Sequence, residues 1–118
     1  MDEDIQQIRK SASDLYKNKQ YNDSLSLYRK LYSEFRQDCN EWDARYYAWC
    51  IYYLEIKDKK DEDIAKNENN FFKAANAIID LANDKNDLAY KRTVLEVLKY
   101  LNDKNIYPAQ QILIWVNK

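Results

Sequence analysis

Hydrophobic residues recur at every third or fourth position through most of the chain, and short polar segments separate these runs. This spacing is typical of helices that bury one side against a neighbour. It predicts about six helices, which span approximately residues 4–17, 22–35, 41–56, 67–82, 87–102 and 108 to almost the last residue. We therefore expect antiparallel helical hairpins, because short connections place consecutive helices side by side.

Residues near the predicted helix ends suggest how the helices begin and stop. Asn22 or Asp23 can cap the second helix, and Asn40 is a typical N-cap for the third. Residues 58–63 form a charged run, which we expect to be a loop or a frayed helix end, with a disordered interaction tail as the alternative. Residues 41–56 place apolar side chains on nearly every side of the third helix, so this helix is expected to be central and buried.

The composition supports one all-α domain over residues 1–118. The chain has no glycine and one proline, Pro108, whereas an all-β domain normally needs glycine-rich turns. A proline is also favoured at the first position of a helix, which suits the last predicted helix. A chain of 118 residues can bury enough apolar surface to fold without disulfides or metal.

The first hairpin carries the clearest local pattern. Residues 15–25 indicate the end of a helix, a short polar turn and the start of a second, antiparallel helix. Large apolar side chains follow at helical spacing, at Tyr28, Leu31, Tyr32 and Phe35. Two stripes of this kind can bury each other in a helical hairpin.

This hairpin resembles a tetratricopeptide repeat. Aligning Tyr21 with the aromatic residue that opens the second helix of such a repeat places Ala12 and Ser24 at its small positions, and Trp42 falls where the family often has tryptophan. The resemblance covers about the first 55 residues. It departs from the family pattern at Tyr46, where the family has a small residue, and at the charged run, which lengthens the turn between the third and fourth helices. It implies a short solenoid of stacked hairpins, with an irregular helical bundle as the alternative.

The resemblance also implies a function. Such modules are non-catalytic scaffolds that bind a protein or peptide in a concave groove lined by the first helix of each pair. On this face it places the candidate partner-binding residues Arg9, Ser13, Tyr16, Lys17, Asp43, Tyr47 and Cys50. The content of 11 tyrosines and 3 tryptophans fits either an interface or a core.

The charge balance argues against nucleic acid as the partner. The chain has 19 basic and 20 acidic side chains, whereas phosphate binding normally needs a clear excess of lysine and arginine. Stacking of single-stranded nucleic acid on the aromatic side chains remains an alternative use of those residues.

The chain has few of the residue types that enzymes use for catalysis and metal binding. The chain has no histidine, so it lacks the side chain used most often for base catalysis and metal binding near neutral pH. Its two cysteines form no metal-binding pair; we expect Cys50 to be a small buried hydrophobe and Cys39 an exposed thiol. We therefore expect no enzyme activity, no cofactor and no metal.

The acidic first residues, Met1 to Asp4, do not resemble a secretory or transit peptide, and no apolar stretch reaches membrane-spanning length. We expect a cytoplasmic protein with no membrane association. The chain could be the N-terminal module of a larger protein, or a small phage or plasmid inhibitor of a host nuclease or defence protein. A homodimer is a further possibility, because the ends of a short solenoid can stack on each other.

Overall fold

The computed structural model describes residues 4–57 and 59–117, and every regular element in them is helical. The chain is therefore all-α, as the hydrophobic spacing predicts. In chain order the α-helices are α1 (Ile5–Lys17), α2 (Tyr21–Phe35), α3 (Glu41–Tyr52), α4 (Asp61–Lys66), α5 (Glu68–Ala82), α6 (Leu88–Lys99) and α7 (Tyr107–Val116). A short 3₁₀-helix follows α2 at Arg36–Asp38 and another follows α6 at Tyr100–Asp103, and a turn of π-helix follows α3 at Tyr53–Lys57. Met1, Asp2 and Glu3 of the acidic start lie outside the described residues.

The start of α2 differs from the sequence prediction. Helix α2 begins at Tyr21 with Gln20 at its N-cap position, so Asn22 and Asp23 lie within its first turn. The chain can reverse so early because Lys19 adopts a left-handed conformation, with φ at 63°. The sequence predicted the turn itself but placed the cap of the second helix too late, because a left-handed residue is ordinarily signalled by glycine or asparagine.

The charged run is also structured differently. From Asp61 onwards it forms helix α4, so the prediction of a loop is wrong for these residues, while Asp58 lies outside the described residues. Three acidic side chains in the first turn complement the helix dipole. Ile64, the residue after the charged run, is buried and anchors α4 to the core. The run itself contains no apolar residue that could do so.

Helix α3 lies at the centre of the bundle, as predicted. It packs most extensively on α6 and also contacts α2 and α5. Asn40 caps it through a capping box with Asp43, which confirms the predicted N-cap. Because α6 comes much later in the chain than α3, this packing is that of a bundle, and the relationship to tetratricopeptide repeats remains a prediction.

Polar contacts also join the helices within the core. In the first hairpin the Ser24 hydroxyl donates to the carbonyl oxygen of Ala12 over 2.8 Å, which brings α1 and α2 close together. Between α2 and α6 the hydroxyl oxygens of Tyr32 and Tyr90 are 2.8 Å apart. None of the described helices is long and apolar enough to cross a membrane.

Candidate functional site

A stripe of aromatic side chains runs along one side of α3 and ends at Tyr53, the first residue of the helical turn that follows. Trp42, Tyr46, Trp49 and Tyr53 follow each other at spacings of four, three and four residues, and this spacing keeps them on one side of a helix. Trp42 is 56% exposed and the other three are half-buried. Helix α3 therefore combines a buried position in the bundle with one accessible aromatic side.

This stripe forms the floor of an open groove of about 940 Å³, which we call the aromatic groove. Tyr16 borders it at the end of α1, and Tyr100 borders it from the turn that follows α6. The complete lining is Tyr16, Trp42, Arg45, Tyr46, Trp49, Tyr52, Tyr53, Lys57, Asp61, Tyr100, Asp103 and Lys104. Four separate parts of the chain thus converge on one aromatic surface.

The rings of the aromatic groove pack against each other. The ring centres of Tyr16 and Tyr46 are 4.8 Å apart, and those of Trp49 and Tyr100 are 5.2 Å apart in an edge-to-face arrangement. Tyr53 stacks on Tyr21 with ring centres 4.4 Å apart. Such contacts are favourable in addition to the area they bury, so the rings are held in place before any ligand arrives.

The charged side chains around the groove balance each other. Arg45 pairs with Glu96 over 3.0 Å, and Lys104 pairs with Asp61 over 3.4 Å. The ammonium nitrogen of Lys57 lies 4.7 Å from the centre of the Tyr53 ring, which is a cation–π contact. The groove therefore presents no large excess of positive charge.

Of the candidate residues from the sequence, Arg9 and Asp43 serve the fold. Asp43 is only 2% exposed, and both its carboxylate oxygens accept hydrogen bonds from Arg9, over 2.8 Å to Nε and 2.7 Å to Nη2. The bond to Asp43 raises the pKa of Arg9. Placing Asp43 on a partner-binding surface was wrong, because this pair joins α1 to α3 inside the bundle.

Tyr47 and Cys50 also point away from the groove. Tyr47 is half-buried, with its ring centre 5.2 Å from that of Tyr32 and 6.5 Å from that of Tyr28. Cys50 is fully buried, which confirms the expected small hydrophobe but removes it from any exposed face. Its thiol donates to the Ser24 hydroxyl over 3.5 Å.

The remaining candidates lie on α1. Tyr16 borders the aromatic groove, whereas half-buried Ser13 and exposed Lys17 do not line it. The sequence reasoning selected positions 43, 47 and 50 of α3, and the accessible stripe contains positions 42, 46 and 49. One residue corresponds to a rotation of about 100° around a helix, so the repeat alignment selected a side of α3 next to the accessible stripe.

The two thiols are poor ligands and poor nucleophiles. Cys39 is buried, so the expectation of an exposed thiol is wrong, and its Sγ donates to the carbonyl oxygen of Phe35 over 3.4 Å. Burial raises the pKa of Cys39 to about 12 and that of Cys50 to about 11. Within the described residues no group of three or more cysteine, aspartate or glutamate side chains could hold a metal ion.

Comparison with known proteins gives no relative from which a function could be inferred. The chain matches no protein family, no curated protein and no solved structure.

Proposed function

We propose that the chain is a non-catalytic binding module that holds a peptide segment of another protein in the aromatic groove. The convergence of exposed and half-exposed tryptophan and tyrosine side chains on one open groove supports this proposal. These residue types carry a large share of the binding energy at protein interfaces. Because the rings already pack on each other, binding would order few additional side chains.

The shape of the groove favours a peptide over a compact small molecule. From Trp42 to Tyr53 the stripe extends over about 16 Å, at about 1.5 Å for each residue of the helix. Small-molecule pockets enclose most of their ligand, whereas this groove is only partly enclosed. An extended segment of several residues fits such a surface better.

The chemistry of the groove favours binding over catalysis. Burial raises the pKa of Tyr16, so its hydroxyl stays protonated near neutral pH and can donate a hydrogen bond but cannot act as a base. Arg45 and Lys104 are engaged by carboxylates. These groups can orient a ligand, and they do not form a pair of acid and base aimed at one reacting atom.

Single-stranded nucleic acid is the second candidate, because the groove offers rings on which bases could stack. The pairing of the groove's cations with carboxylates argues against nucleic acid, since each phosphate of a bound strand needs a nearby cation. An inhibitor of a nuclease or defence protein would also need an exposed contact surface, and the aromatic groove offers one.

Selection from a library of displayed random peptides tests the proposal. The wild-type chain is the target, and affinities of the selected peptides are then measured for Tyr100→Ala and for the matched control Tyr107→Ala. Tyr100 lines the groove and is 51% exposed, whereas Tyr107 is 67% exposed on α7 and does not line it. Both substitutions remove an exposed tyrosine, so both should leave the fold intact.

We expect peptides whose affinity falls at least about tenfold with Tyr100→Ala and stays unchanged with Tyr107→Ala. A second pair, Trp42→Ala in the groove and Leu88→Ala outside it, repeats the comparison at other exposed positions. The proposal fails if no peptide is enriched, or if the groove variants bind the selected peptides as tightly as their controls do.

A further inference from the structure

We propose that the segment bound in the aromatic groove is proline-rich and adopts the polyproline II conformation. This inference rests on the proposed function and specifies the chemistry of the peptide. Three features of the groove carry it: the spacing of the rings, the hydrogen-bonding groups that the surface offers, and the balance of charge.

The spacing of the rings is close to the repeat of a polyproline II helix. Trp42 and Trp49 are seven residues apart within α3, which places them about 10 Å apart along the helix axis at about 1.5 Å for each residue. A polyproline II helix has three residues per turn and rises about 9 Å per turn. A peptide that lies parallel to α3 can therefore bring one proline of each of two successive turns near the two tryptophan positions.

The hydrogen-bonding groups of the groove also suit this conformation. Helix α3 uses its own backbone groups internally, so it cannot pair with an added β-strand as an open sheet edge does. The ligand must find its hydrogen bonds on side chains. The indole nitrogens of Trp42 and Trp49 and the hydroxyl of Tyr100 make no hydrogen bond within the described parts of the chain, which leaves them available as donors.

A polyproline II segment presents what these donors need. It has no internal hydrogen bonds, so its carbonyl oxygens are free to accept. Proline has no backbone N–H group, so the segment needs few acceptors from a surface that is rich in donors and rings. Its restricted backbone also reduces the entropy lost on binding.

The charge balance favours a neutral occupant. Arg45 and Lys104 are paired with carboxylates, and Lys57 lies over the ring of Tyr53. A phosphate backbone or a strongly acidic peptide would have to displace these partners. A second copy of this chain is a poor donor of the segment, because its one proline, Pro108, is buried in α7.

Two displayed peptide libraries test the inference. One has fixed prolines at the first and fourth positions of a repeating core, and the other has alanines at the same positions and is otherwise identical. We expect enrichment from the proline library only. Replacing the prolines of a selected peptide by alanine, or using the Trp42→Ala chain, should weaken binding at least about tenfold.

The control chain is Tyr107→Ala, which should bind the selected peptides as the wild type does. Equal enrichment from the two libraries would overturn the polyproline II inference, as would a groove variant with unchanged affinity. If the alanine library yields peptides that depend on the groove, or if the groove-dependent peptides from the random library contain no proline, the proposed function stands and this inference falls. If neither yields binders while oligothymidylate binds with strong salt dependence, both are overturned in favour of nucleic acid.

Discussion

Removal of Arg9 should destabilise the fold more than removal of any exposed charge. In the wild type the Asp43 carboxylate accepts two hydrogen bonds from Arg9 and a third, over 3.0 Å, from the backbone N–H of Asn40. Arg9→Ala removes the cation and two of these three bonds. With Arg9 in place the Asp43 side chain is only 2% exposed, so the carboxylate depends on these donors and loses most of its hydrogen bonding when they are removed.

The magnitude follows from this burial. Removing one partner of a buried ion pair costs about 3–5 kcal/mol. Since the Arg9 side chain is 22% exposed, water can enter the vacated space, and we expect a loss of about 2–3 kcal/mol in the free energy of unfolding. In a double-mutant cycle with Asp43→Asn the two changes should be coupled by about 1–3 kcal/mol.

Urea unfolding followed by circular dichroism measures these free energies. The matched control is Lys10→Ala, which removes the cation of an exposed pair with Asp14 on the same helix. It should leave the midpoint nearly unchanged, because exposed ion pairs are weak. If Arg9→Ala is no more destabilising than Lys10→Ala, the reasoning about Asp43 is refuted.

Three further predictions concern the core and the first turn. Burial raises the pKa of Cys39 to about 12 and that of Cys50 to about 11. Neither thiol should therefore react with dithiobis(nitrobenzoate) near neutral pH until denaturant is added. Rapid reaction of the native chain would contradict this prediction. Burial raises the pKa of Tyr90 to about 12 and also raises that of Tyr32, from an ordinary value of 10.0. Above about pH 10 the unfolded chain then binds fewer protons than the native chain, so the urea midpoint should fall as the pH rises. In a chain with phenylalanine in place of both tyrosines, the midpoint should fall less steeply with pH. Lys19→Gly should raise the free energy of unfolding by about 0.5–1 kcal/mol, because glycine adopts the left-handed conformation without steric cost, and a lower urea midpoint would refute this.

Helical periodicity predicted most of the fold because burial of one side sets the spacing of apolar residues. It located α1, α3, α5 and α6 closely, and it identified α3 as the central helix. It failed at the charged run, because the anchor of α4 is Ile64, which follows the run and gains its role only through tertiary packing. It failed at the start of α2 because Lys19 is held in a conformation that its residue type does not signal.

The candidate site was harder to predict because it depends on which side of α3 the other helices leave open. Periodicity cannot choose among the sides of a helix that is apolar nearly all round. In the structure α6, α5 and α2 cover the other sides, and the stripe that begins at Trp42 remains accessible. The pairing of Asp43 with Arg9 could have been suspected from opposite charges on neighbouring helices. The approach of Tyr100 to Trp49 could not, since it depends on how α6 packs.

Tryptophan fluorescence during titration with a selected peptide shows whether the peptide binds in the aromatic groove. Of the 3 tryptophans, Trp42 and Trp49 line the aromatic groove, and Trp115 packs against Phe72 elsewhere. In a Trp115→Phe chain we expect the tryptophan emission to shift saturably to shorter wavelength, because the bound peptide removes water from the indoles of the groove. An unselected peptide of the same length should leave the emission of the Trp115→Phe chain constant. A selected peptide that binds the Trp115→Phe chain and leaves its emission unchanged would contradict binding in the aromatic groove.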